Sequence, residues 1–418
     1  MKCQAWNILC AIACAAAMPA FAATPQRAGG AQATTISVYD QGFALIQELR
    51  RADVRSGEND VVFPDVPRTL DPATTAFNVT AGVKQLELLE QTFSASNLPA
   101  PELRWLLKSG SDGFANLRIT YRADGFGWMA AHEVVLGAEA LQARFSTRVG
   151  IQNRSGHSFE DARIKLVLTE RGVAPKLPVE KDAAPASLAQ RFAGGQPAPD
   201  RLVAGLATMQ TYEPAETVSL PDGATKYVTL YTSSKLPVRH VFVYDGVRFD
   251  RYQRSRITDW NYGTECHNIV DEFIEFDNTT DNGLGRPLPP GKLRLIQRRG
   301  GDVLDFLGET DLPAIAAGDS ARARIGPARG WRGERERSGY SEVRPAHEYE
   351  ESFEIRLKNQ SDQPGVARVT EHLYRSEDFE IIKADTEYKK TGPQVIEFSP
   401  ELKAGGTRNI HYTVRYRW

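Results

Sequence analysis

Cysteine, histidine and long apolar runs are all scarce in this chain. Four cysteines and seven histidines stand among 418 residues. Three of the cysteines, Cys3, Cys10 and Cys14, crowd the start, which leaves Cys266 alone beyond it. One thiol cannot close an intrachain bridge, so a disulfide scaffold is excluded. The histidines are scattered singly and no His-Glu-x-x-His occurs, which excludes the metalloprotease helix. No segment beyond the first residues supplies the roughly 20 apolar residues of a membrane-spanning helix. A charge of one sign is also missing. Fifty-one basic residues face 53 acidic ones, for a net charge of -2. That gives no global field to draw in nucleic acid or an anionic membrane. A sustained helical period is absent as well.

What is present begins with Met1-Lys2, an apolar stretch from Ile8 to Met18, and Ala20-Phe21-Ala22. This is the order of a secretory signal, with cleavage expected after Ala22. The expected location is periplasmic or secreted. A lipid-modified Cys14 is the weaker alternative, because Ala11 replaces the usual bulky residue before it. Residues 23–34 read as a flexible leader. Strand patterns follow at Ile36–Tyr39, Ala44–Leu49, Val61–Phe63, Leu117–Tyr121, His132–Leu136, Ala143–Ile151 and Ala162–Leu168. Pro101–Leu107 reads as one short helix ended by Ser109-Gly110. Residues 172–221, rich in Ala, Pro and Gly, read as a polar loop insertion. Strands return at Tyr227–Tyr231, Arg239–Tyr244, Ile269–Phe276, Leu293–Gln297, Phe353–Leu357 and Val366–Tyr374. Asp245-Gly246 reads as a hairpin turn and Gly326–Ser341 as an Arg-rich loop. The clearest strand is the last: Ile410, Tyr412, Val414, Tyr416 and Trp418 alternate with polar residues. The expected class is all-β, with two or more antiparallel β-sandwich-like domains. The expected division is an N-terminal β domain over 35–113 and a β-rich domain over 114–418. A hydrophobic share of 41% is enough for such a chain to rest on its core.

Several segments occur in a familiar order. They include Ser37-Val38-Tyr39-Asp40-Gln41-Gly42-Phe43, Val66-Pro67-Arg68-Thr69-Leu70-Asp71-Pro72 and Gly127-Trp128-Met129. Asn153-Arg154-Ser155-Gly156, Glu275-Phe276-Asp277-Asn278, Gly283–Gly291 and Phe306-Leu307-Gly308-Glu309 continue it. In this order the chain resembles an uncharacterised family of secreted bacterial proteins. That family shares the β-rich C-terminal domain of unknown function of mucoidy-inhibitor-like proteins. The segment Glu90–Leu117 is shorter than the family's usual region. The resemblance implies a β fold and an exported location, and it carries no reaction.

No chemical motif survives a spacing check. Gly285–Leu293 has the wrong glycine interval and no Ser or Thr after Lys292, so it is not a phosphate loop. Gly156-His157-Ser158 is not a nucleophile elbow. On a strand, His267, Asp271, Glu275 and Asp277 would share one face, with Asp281 on the turn beyond. Oxygen ligands there would suit calcium, but a wet strand face is the favoured reading and no metal is assigned. Cys266 reads as a small buried residue without a base. Arg248, Arg251, Arg254 and Arg256 form one basic cluster. Arg322, Arg324, Arg329, Arg332, Arg335 and Arg337, with Trp331 among them, form another. Arginine beside an aromatic ring suits an acidic glycan or a lipid headgroup, against a plainer reading as solvated loops. Trp260-Asn261-Tyr262 is a candidate sugar-stacking platform, against a plainer reading as a buried strand end. The candidate binding residues are therefore His267, Asp271, Glu275, Asp277, Asp281, Trp260, Arg329, Trp331 and Arg332. The functional expectation is an exported cell-envelope binding or structural module needing no cofactor. Its partners would be an envelope glycan, a lipid headgroup or another envelope protein. One alternative is an envelope hydrolase using the carboxylates of Asp271–Asp281. A second is an outer-membrane barrel, suggested by the terminal aromatic strand.

Overall fold

A computed structural model describes residues 25–95, 100–137, 141–169, 209–248, 257, 259–299, 303–345 and 347–418. The chain is all-β, as its alternating segments require. The described residues form two compact units. The expected signal sequence, Arg251, Arg254, Arg256 and most of the 172–221 insertion lie outside the described residues.

The first unit contains residues up to Phe126 together with 153–164 and 217–224. Its strands are β1 (Gln26–Arg27), β2 (Ala33–Tyr39), β3 (Phe43–Val54), β4 (Gly57–Phe63), β5 (Leu70–Gly82), β6 (Leu86–Ser94), β7 (Glu102–Ser109) and β8 (Gly113–Asp124). One sheet has the order β1-β4-β7-β6, with β1 parallel to β4. The stretch expected to be a flexible leader thus carries β1 and the start of β2. The expected helix at Pro101–Leu107 is instead β7. Leu103, Trp105 and Leu107 are inward and fully buried there, while Arg104 and Lys108 face out. That is a period of two, and β4 and β6 supply hydrogen-bonding ladders on both sides. Trp105 packs 4.7 Å from Phe63 and donates to Gln91 Oε1 at 2.8 Å. In the other sheet, β3 pairs with β2 and β8, and β8 with β5.

The second unit contains 127–152, 165–216 and 225–418. Four strands precede its long C-terminal part: β9 (Phe126–Leu136), β10 (Gln142–Asn153), the last residues of β11 (Phe159–Thr169), whose residues up to Ile164 belong to the first unit, and β12 (Met209–Tyr212). β13 (Val218–Leu220), which belongs to the first unit, pairs with the first residues of β11, and β12 pairs with its last. The end of the expected loop insertion is therefore strand. β14 (Thr225–Pro237), β15 (Arg239–Tyr244), β16 (Ile269–Asp277), β17 (Gly291–Arg298) and β18 (Leu304–Leu312) follow. The remainder are β19 (Ser320–Arg344), β20 (Glu348–Asn359), β21 (Gly365–His372), β22 (Phe379–Ala384), β23 (Tyr388–Gly392), β24 (Val395–Phe398), β25 (Glu401–Leu402) and β26 (Thr407–Arg417).

A five-stranded sheet in the order β14-β10-β9-β17-β18 packs on β16 and the start of β19. Phe145, Leu293 and Leu295 meet Ile274, Phe276 and Ala323 between them. The largest sheet runs β22-β26-β20-β19-β16-β15-β21-β24-β23, with β25 on β21. Its two wings share a second core of Trp331, Phe353, Val369, Phe398, Tyr412 and Val414. Sandwich-like packing holds, but the sheets are mixed rather than antiparallel throughout. β15 pairs with β21 in parallel, and β17 with β9. Each of the four sheets runs between two outer strands, so none closes into a barrel among the described residues. No helix among them is long and apolar enough to cross a membrane.

Two further expectations change. Gly326–Ser341 is part of β19, the longest strand, and not a loop. Trp331, Gly333 and Arg335 point inward there, while Arg332, Glu334 and Glu336 point out. Gly333 is required, because a Cβ would lie 2.3 Å from the Tyr244 ring that covers it. Asp245-Gly246 is not a tight hairpin. It leads instead to an isolated bridge between Val247 and Cys266, and β15 pairs with β16 only after that excursion.

Candidate functional site

Alternation on four strands of the second unit sends ionisable groups into a core. Inward positions carry Arg335 on β19, Glu351 on β20, Glu371 on β21, and Tyr412 and Tyr416 on β26. Arg375 follows β21 and is also buried. Arg335 Nε lies 3.0 and 2.9 Å from the two Glu371 oxygens, and Tyr412 donates to Glu371 at 2.5 Å. Glu351 accepts from Arg337 at 3.1 Å, from Arg375 at 2.9 Å and from Tyr374 at 3.2 Å. The Arg335 guanidinium also lies 3.9 Å over the Phe353 ring.

Two buried carboxylates thus balance part of the charge of three arginines, and several further donors turn to one loop, while Arg335 Nη2 and Arg375 Nε stay buried without a hydrogen-bond partner. Arg375 donates to the carbonyls of Ile257 at 3.1 Å, Asp259 at 2.9 Å and Trp260 at 3.3 Å. It also approaches the Tyr262 carbonyl at 3.4 Å. Arg335 donates to the Gly263 carbonyl at 2.8 Å, and Arg337 to that of Trp260. Carbonyls at Ile257, Asp259, Trp260, Tyr262 and Gly263 are therefore held by three arginines rooted in the core. Gly263 has φ +76°, and a Cβ there would lie 2.1 Å from Tyr374 Cζ, so the loop closes only with glycine.

Burial works against charge on Arg335, but the neighbouring Glu371 and the Tyr412 and Tyr374 phenols carry its pKa well above the ordinary guanidinium value. Burial pushes the Tyr374, Tyr412 and Tyr416 phenols up, and nearby carboxylates add to this. Arg335 therefore stays charged and the three phenols stay protonated near neutral pH.

Trp260 sits at the top of this loop, 59% exposed. Arg337 lies 5.2 Å from its ring centroid and 5.0 Å from that of Tyr340. The expectation of a buried strand end is overturned for Trp260. It lies on a turn stabilised by Tyr262 N to Asp259 O and Thr264 N to Asn261 O, both at 3.2 Å. Cys266, expected to be buried, is exposed, and its thiol donates to the Arg335 carbonyl at 3.0 Å.

The other candidate residues fall elsewhere. His267 precedes β16. Its Nδ1 accepts from Ile269 N at 3.2 Å and its carbonyl from Tyr244 at 2.8 Å, so it does not join the β16 carboxylates. Asp271, Glu275 and Asp277 do share the outer face of β16, but arginines take all three. Arg324 holds Asp271 at 2.8 Å, and Arg239, Arg322 and Arg368 surround Glu275. Arg239 and Ser320 hold Asp277. Burial raises the Glu275 carboxyl, yet its arginines bring it below its ordinary value, and hydrogen bonds from Arg239 and Ser320 hold Asp277 at about 2. Carboxylates held this acidic cannot store a proton as general acids at neutral pH. Asp281 is exposed on a 3-10 turn, which Asn278 organises by donating to Arg286 O at 2.8 Å and Ala316 O at 2.9 Å. Among the described residues, no group of three or more His, Cys, Asp or Glu side chains is arranged to hold a metal ion. Trp331 is a core residue stacked 4.1 Å from Phe242, while Arg329 and Arg332 are exposed.

Sequence reasoning missed Glu351, Glu371 and Arg375 entirely, and with them the Glu48–Arg50 pair buried in the first unit at 2.7 Å. The available signal is a charged residue at the inward parity of an apolar strand, as in Ala367-Arg368-Val369-Thr370-Glu371. No family model matches this chain, and no curated protein matches it.

Proposed function

We propose that this chain is an exported cell-envelope binding module whose binding surface is the Trp260 turn. The observation that carries this is the mounting of Trp260. A large aromatic side chain is left exposed on a loop whose backbone is held by three arginines from the core. Ordering a loop in advance removes an entropic cost from later binding. Buried ion pairs return little net stability, which makes a positioning role the better account of this cluster. The signal-like start and the resemblance to a secreted β-rich family support the envelope location.

Asp271, Glu275 and Asp277 serve in this reading as an ion-paired face of the sheet. The test is co-sedimentation of the purified mature chain with cell envelopes washed free of soluble protein. The wild type should pellet with the envelopes, and Trp260→Ala should stay in the supernatant with an unchanged circular dichroism spectrum. Equal partitioning of the two proteins would overturn the assignment of this surface.

A further inference from the structure

We propose that the Trp260 turn recognises a saccharide, the indole stacking on the C–H face of a sugar ring while Asn261 and Asp259 bind its hydroxyls. This rests on the reading of the turn as the binding surface and adds the chemistry of the ligand. Three adjacent residues supply that chemistry. Trp260 offers an exposed ring, which Arg337 steadies from 5.2 Å. Asn261 is exposed beside it, and its carboxamide brings two donors and an acceptor. Asp259, also exposed, uses one carboxylate oxygen to accept from Asn261 N at 3.0 Å, and its second oxygen is an acceptor for a hydroxyl. An apolar ring face flanked by hydrogen-bond donors and acceptors matches a pyranose, which has C–H bonds on its faces and hydroxyls around its rim.

Other ligand classes fit less well. A quaternary ammonium or other cation would meet the Arg337 guanidinium close to the same ring. A polyanion would meet Asp259 and Glu265, both exposed, on a chain with no excess of positive charge. A lipid chain needs a continuous apolar patch, and here Trp260 is flanked by Asp259 and Asn261.

The experiment is titration calorimetry of the full mature chain against soluble hexaoses of glucose, mannose, galactose and N-acetylglucosamine. Saturable binding of at least one hexaose is expected. Trp260→Ala should weaken it at least tenfold, Asn261→Ala severalfold, and Trp260→Phe less than Trp260→Ala. No binding to any of the four, or binding unchanged in Trp260→Ala, would overturn the saccharide assignment. Envelope co-sedimentation that depends on Trp260 without hexaose binding would remove this inference alone. Loss of both would remove the binding surface as well.

Discussion

Glu351→Gln tests the buried cluster at its centre. The Glu351 side chain is fully buried, and its carboxylate accepts from Arg337, Arg375 and Tyr374. The substitution keeps the shape and one carbonyl oxygen but removes the charge. Arg375, also fully buried, would then have no charged partner, and Arg337, 8% exposed at its side chain, would be in nearly the same position. Breaking a buried ion pair from one side costs about 3–5 kcal/mol, because the remaining charge stays desolvated. A neutral isostere that still accepts hydrogen bonds belongs at the lower end, about 3 kcal/mol. For a unit of this size that lowers the melting temperature by about 6–12 °C. The loss should be read from urea unfolding of wild type and variant, and it should persist in 0.5 M salt because solvent ions do not reach the site. A loss below about 1 kcal/mol, or one abolished by salt, would refute the description of Glu351 as an unscreened counter-ion.

Three further outcomes follow from the same geometry. His132 is buried; its Nε2 donates to Pro289 O at 2.9 Å, its Nδ1 accepts from Thr147 at 2.9 Å, and burial lowers its pKa to about 4. The fold therefore holds the neutral ring. Its contribution is complete above pH 6.5 and declines as pH falls towards 4, by about 3 kcal/mol in all. Urea unfolding across that range should show a shallower slope in His132→Gln than in wild type, and equal slopes would contradict the assignment. Gly263→Ala places a Cβ against Tyr374 at a left-handed position and should cost about 2–4 kcal/mol by urea unfolding. A neutral result there would show that the turn is not packed as described. Arg239 is half exposed, so Arg239→Ala should cost no more than about 1 kcal/mol despite its bonds to Asp277 and Glu275. Thermal unfolding in low and high salt measures this, and a larger, salt-insensitive loss would show that the outer face bears more than described.

Legibility in the sequence depended on which residues faced inward. β26 was plain because Ile410, Tyr412, Val414 and Tyr416 are β-formers at alternate positions. β19 was misread because its inward positions hold Gly333, Arg335 and Arg337, which carry no β signal and resemble a solvated loop. β7 was misread for a different reason: Pro101 suits a first helical turn and Ser109-Gly110 a helix end, and pairing with β4 and β6 overrode those local signals. The site was half visible. Trp260-Asn261-Tyr262 stood out as a motif, but exposure cannot be read from residue type. The side chain that holds the turn, Arg375, is 116 residues from Asp259 in the chain and leaves no local trace. The β16 carboxylates were found readily, whereas their arginine partners come from β15, β19 and β21.

The central claim is that buried arginines pre-order the turn that displays Trp260. Hydrogen–deuterium exchange of peptides spanning residues 259–267, in wild type and Glu351→Gln, tests it most directly. The account predicts slow exchange at Tyr262, Thr264 and His267 in the wild type, whose amides donate to Asp259, Asn261 and Gly246. It predicts faster exchange at Tyr262 and Thr264 in the variant, with β26 remaining protected. Exchange in the wild-type turn as fast as in an unstructured peptide would contradict it.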